Sequence, residues 1–160
     1  MNAVAVDLDA LGDTRSLWRD FLTDAARRFA PIAALDVDAL PDDRAAAASE
    51  LDRWAEAGIG DWRGALERFA EDRAPVYLRP SAEASAALRG LGRAGVRIGV
   101  FTDAPEPLAR VALAHLGASR HVEAVEAGEG ARERLVKRLG GEVAVADTLP
   151  ALAKISGNAV

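Results

Sequence analysis

The chain has 160 residues, a formal charge of -5 and an isoelectric point near 5.1. Half of it is apolar and its mean hydropathy is +0.00, which suits one soluble α/β domain long enough to bury a core. The acidic balance without a basic stripe argues against nucleic acid or an anionic membrane as partner, and the lack of cysteine excludes disulfides, thiol catalysis and thiolate metal sites.

The N-terminus has no basic start ahead of its apolar run, and acid arrives by Asp7, so no signal peptide is expected. Ala3-Val4-Ala5-Val6 reads as a first strand ending in Asp7. It is short and apolar on both faces, as buried parallel strands are. A long stretch without strand signal follows, from Thr14 to Arg79. Leu17, Phe21, Ala25 and Phe29 recur there at helical spacing, and so do Trp62, Leu66 and Phe69. Asp42 to Ala57 is alanine-rich and charged, which predicts a solvated helix. The stretch as a whole is expected to be a helical insertion, with Trp18, Trp54 and Trp62 in its core.

A helix is predicted from Ser81 to Arg93, with Ala84, Leu88 and Leu91 on one face. The second strand runs from Val96 to Phe101 and ends in Thr102 and Asp103. Pro105 sits where a first-turn proline belongs, and Gly117 closes that helix. Val122 to Val125 predicts another strand, interrupted by Glu123. Gly140 closes a helix from Ala131 to Leu139, and Val143-Ala144-Val145-Ala146 forms the last strand, ending in Asp147. Strand–helix alternation predicts a parallel, Rossmann-like sheet flanked by helices. Such sheets bind ligands beyond the carboxyl ends of their strands, where Asp7, Thr102 and Asp147 fall. No apolar run approaches the roughly 20 residues of a membrane helix, and a cytoplasmic protein is the expectation.

Asp7 and Asp9 are the first candidates for chemistry. Two carboxylates beside a buried strand end are costly unless a proton or a cation satisfies them. A divalent cation would do so, leaving one carboxylate to attack an electrophile and the other to handle a proton. The plainer alternative is that Asp7 caps the next turn and Asp9 is solvated.

Val4-Ala5-Val6-Asp7-Leu8-Asp9, followed by Asp13-Thr14, resembles the first motif of the haloacid-dehalogenase (HAD)-like hydrolases, in the phosphoglycolate-phosphatase-like form. Ile98 to Asp103 is similar to the second motif, and Val143 to Asp147 to the fourth. The resemblance implies a core of residues 1–13 and 80–160 with a helical cap at 14–79. It implies Asp7 as nucleophile and magnesium ligand, Asp9 as general acid/base whose carbonyl also binds Mg2+, and Asp147 as a further metal ligand. Thr102, with Asp103 beside it, would bind the phosphoryl group of a small phosphorylated metabolite.

The motifs are degenerate. Ala10 and Leu11 stand where the family has Gly and Thr or Val, and Ala151 replaces a second acid of the fourth motif. The third motif expects a lysine, and Glu126 to Arg132 supplies none. Arg132 is the candidate substitute, its plain alternative being an ordinary surface arginine. The helix N-terminus near Gly130 could also favour an anion. Lys137 is read as solvated, and His115 and His121 as structural or solvated.

Two functions follow from the resemblance. One is a magnesium-dependent phosphatase working through an aspartyl-phosphate. The other is a catalytically degraded relative that binds a ligand or partner without turnover. Dehalogenase chemistry ranks below both, because Asp147 suits a metal. The apolar face of the cap could support a homodimer.

Overall fold

The computed structural model describes residues 1–159. Four parallel strands form one sheet: β1 (Ala3–Asp7), β2 (Arg97–Thr102), β3 (Ala124–Ala127) and β4 (Val143–Ala146), in the order β3-β2-β1-β4. Their carboxyl ends therefore lie along one rim. The Rossmann-like architecture expected from the strand–helix alternation is the observed one. Among the described residues no helix is long and apolar enough to cross a membrane.

Side chains alternate between the two faces of the sheet. Val4, Val6, Ile98 and Val100 join the larger core cluster, while Ala3, Ala5 and Phe101 join a smaller one with Leu135 and Leu139. The larger face is covered by α1 (Leu8–Leu11), α5 (Ala82–Arg93), α6 (Glu106–His115) and α8 (Leu149–Ala159), and the smaller by α7 (Ala131–Leu139). On that smaller face the central strands carry small residues, which brings α7 close. A Cβ built on Gly99 would stand 2.6 Å from Leu135 Cδ1.

Three helices fill the insertion between β1 and β2: α2 (Arg15–Arg28), α3 (Arg44–Ala55) and α4 (Trp62–Tyr77). The three tryptophans are buried in it as expected. Trp18 meets Phe21 at 6.0 Å and Trp62 at 6.4 Å between ring centroids, and Phe29 packs on Trp54 at 5.7 Å. The insertion is continuous with the core. Its buried residues share one apolar cluster with the sheet, and α4 packs along α6. Arg110 of α6 strengthens this seam by bonding Glu67 of α4 and Glu106 of its own helix.

Two expectations are corrected. The third strand starts at Ala124 rather than Val122, because a single 3-10 turn (Ser119–His121) ends at Val122. Glu123 then only brings its N–H to Ile98 O before pairing with β2 begins. The alanine-rich segment is not a solvated helix. In α3, Arg44, Ala47, Ala48, Leu51 and Trp54 are buried on one face.

Candidate active site

β1 delivers Asp7 to the rim, and the chain turns at once into α1. Asp7 is the N-cap of that short helix, its Oδ1 accepting from Asp9 N at 2.9 Å. The capping role raised as the plain alternative is thus real, and it also fixes the carboxylate in position. The carboxyl pKa of Asp7 is raised. Burial is the main cause, and the negative charges of Asp9 and Asp103 add to it, while the Asp9 N–H and the Arg44 charge oppose it.

Asp9 is not solvated. Its Oδ1 accepts from Thr14 N at 2.9 Å and from Thr14 Oγ1 at 2.7 Å, and its Oδ2 accepts from Arg44 Nη2 at 2.8 Å. Thr14 is fully buried, so the Asp13-Thr14 pair serves through its threonine. Asp13 points outward to Arg15, which holds its carboxyl down at about 2.

Arg44 is the residue the sequence analysis missed. It opens α3, only 5% exposed, and its guanidinium reaches four side chains from other elements. Nε donates to Asp103 Oδ1 at 2.7 Å, and Nη1 to Thr14 Oγ1 at 2.6 Å. Nη2 reaches Asp9 and, at 3.4 Å, Thr102 Oγ1. The Arg44 N–H donates to the other Asp103 oxygen at 3.0 Å, so Asp103 grips both the backbone and the side chain. A signal was present. Position 44 is in phase with Ala47, Ala48 and Leu51 at spacings of three, four and seven, the buried stripe of a helix.

Thr102 ends β2 nearly buried, its Oγ1 also accepting from Ala104 N at 3.1 Å. Asp103 is the anchor of Arg44 in this arrangement. Arg132 and Asp147 stand apart from the cluster. They pair with each other at 3.5 Å and both are half exposed, with the Arg132 guanidinium 5.9 Å from the Phe101 ring centroid. The charge of Arg44 is among those that oppose the raised pKa of Asp7. His115 Nε2 contacts Leu78 O at 3.1 Å, a structural contact.

These groups open on a cleft of about 1290 Å³ between sheet and insertion, lined by Asp7, Asp9, Trp18, Arg44, Thr102 and Arg132 among others. Gly128 and Gly130, both with positive φ, form the lip before α7. Asp147 lies outside the lining.

The donor set does not fit magnesium as it stands. Among the described residues no three histidines or carboxylates converge on a metal position. The paired register ends with Val6 opposite Ala146, one residue before Asp7 on β1 and before Asp147 after β4, and the Asp147 side chain pairs with Arg132. Both oxygens of Asp9 are already in hydrogen bonds.

A parallel sheet with polar strand ends under a helical insertion defines a Rossmann-like α/β class with a covered rim. Solved structures make this specific. CbbY from Rhodobacter sphaeroides, in complex with phosphate, is 19% identical, with 98% of this chain and 83% of that one covered, at a TM-score of 0.64. A HAD phosphatase from Thermococcus onnurineus is 19% identical over 98% and 83% of the two chains at 0.55. A HAD family hydrolase from Deinococcus radiodurans, with bound phosphate and sodium, is 19% identical over 98% and 78% at 0.50. No family model matches the sequence. No curated protein matches it either. The chain has the HAD-like fold.

Proposed function

We propose that the protein is a HAD-type hydrolase that removes the phosphoryl group of a small phosphorylated metabolite through an aspartyl-phosphate at Asp7. The observation that carries this reading is the placement of Asp7. It is a half-buried carboxylate at a strand end, opening on a cleft with Thr102 and Arg44 beside Asp9. The phosphate named with two of the solved structures supports the ligand class.

In this reading an Asp7 oxygen attacks phosphorus, and the bond from phosphorus to the leaving oxygen breaks. Thr102 Oγ1 and the planar fork of Arg44 hold the equatorial oxygens, a geometry that guanidinium suits. Asp9 then delivers a proton to the leaving oxygen and later takes one from the water that releases phosphate. Arg132, half exposed at the cleft wall, adds positive charge near the entrance.

The test is hydrolysis of an aryl phosphate by pure protein, with magnesium and with chelator, beside Asp7→Asn. Turnover that disappears in the folded Asp7→Asn protein is the expected result. Equal turnover in the variant sinks the mechanism. The reading of a degraded relative that binds without turnover is favoured by one observation, the complete engagement of Asp9 by Thr14 and Arg44. Ligand binding with no hydrolysis in any sample would select it.

A further inference from the structure

We infer that the buried guanidinium of Arg44 takes the place of a divalent cation at the carboxylate rim, so that the folded chain takes up no magnesium there. The inference concerns the same site as the phosphatase reading, and its test does not depend on turnover.

The argument starts from charge. Asp9 and Asp103 bond to one guanidinium and their negative charges are felt at Asp7, whose charged form burial disfavours. Arg44 is the cation set among them. It carries a charge that cannot be lost by deprotonation, and it is itself nearly buried. A divalent ion entering here would meet a fixed positive group bonded to Asp9 and felt at Asp7. To bind Asp9 it would have to displace Nη2 and leave a buried guanidinium short of a partner.

The arginine cannot simply swing aside. Asp103 holds its backbone N–H and its Nε together, so withdrawal of the side chain alone still leaves the first turn of α3 fastened to the end of β2. Thr14 holds Nη1 from below. The remaining acid, Asp147, faces Arg132 at 3.5 Å. Asp9 and Asp103 are therefore committed to one buried arginine, and the neutralising charge beside Asp7 arrives with the helical insertion instead of from solution.

The test is magnesium chloride titrated by calorimetry into the wild type, Arg44→Met, Arg44→Lys and the double variant Arg44→Met with Asp9→Asn, all checked for folding by circular dichroism. The wild type and Arg44→Lys are expected to give no saturable heat. Arg44→Met is expected to gain a site at least tenfold tighter than anything in the wild type, and the double variant to lose it. A wild type that binds magnesium as tightly as Arg44→Met overturns the inference, and so does a folded Arg44→Met that binds none. If Arg44→Met does not fold, the wild type decides with Asp9→Asn. Saturable wild-type binding that Asp9→Asn removes overturns the inference, and absence of saturable binding upholds it. Aryl phosphate turnover, measured separately with and without chelator, reports on the phosphatase reading, so either can fail alone.

Discussion

Two arginines meet acids at the rim of this sheet, and they are held in opposite ways. Arg44 is buried and bonded to Asp9, Asp103, Thr14 and Thr102. Arg132 is half in solvent and pairs with Asp147 at 3.5 Å. The same functional groups therefore carry different energies. A buried charge deprived of its partner costs several kcal/mol, whereas an exposed pair is screened by water and salt. The lesson concerns function as much as stability. The well-held arginine sets the charge at the catalytic candidates, and the loosely held one only decorates the cleft wall.

The largest effect that could break this contrast is at Arg44. Arg44→Met keeps most of the stem packing but leaves Asp9 and Asp103 uncompensated, and a loss of about 3–5 kcal/mol is expected. Urea unfolding measures it. A loss below about 1 kcal/mol would mean that the network is worth no more than a surface pair. Next comes the anchor. Asp103→Ala removes the acceptors of the Arg44 N–H and Nε while Asp9 still holds Nη2, so a loss of about 1–3 kcal/mol is expected by the same measurement.

The sequence made one of these regions readable and hid the other, for a physical reason. Asp7, Thr102 and Asp147 were legible because a buried strand is apolar until it surfaces, and its first polar residue marks the rim. The aromatic core of the insertion was legible from helical spacing. Arg44 was not. Its partners lie 35 and 59 residues away along the chain, and no local period encodes such a meeting. Its own helix gave a hint in the buried stripe that it opens, but composition alone favoured a solvated surface. The third strand slipped by two residues because a 3-10 turn used Val122 as its cap. The role of Arg132 as substitute cation was inferred from position alone, and its side chain is committed to Asp147.

A smaller effect, of opposite sign, is expected at Asp7. The folded carboxyl has a raised pKa, caused first by burial. Such a group favours folding while protonated, and that contribution is lost as pH rises through its folded pKa. Asparagine keeps an acceptor for Asp9 N without the charge. Asp7→Asn should therefore raise Tm, and its advantage over the wild type should grow from acid pH until Asp7 is fully ionised, then level off. Thermal melts across that range measure it. In the phosphatase reading the ionised form is the nucleophile, so the acid limb of the rate profile should be displaced upward from that of an ordinary aspartate. An advantage that shrinks as pH rises would contradict the burial of Asp7.

The smallest effect belongs to the exposed pair. With both side chains half in solvent and a separation of 3.5 Å, the Arg132–Asp147 interaction is expected to contribute about 0.2–1 kcal/mol, and less at high salt. A double-mutant cycle with Arg132→Ala and Asp147→Ala isolates it. The same cycle on Arg44 and Asp9 should give a coupling several times larger that changes little with salt, because that contact is shielded from solvent. Salt is what makes the comparison sharp. If the Arg132–Asp147 coupling equals the Arg44–Asp9 coupling and both persist in concentrated salt, burial does not separate the two arginines, and Arg132 regains its claim as the cation of the site. If the outer coupling fades while the inner one stays, the charge that governs Asp7 and Asp9 comes from the insertion.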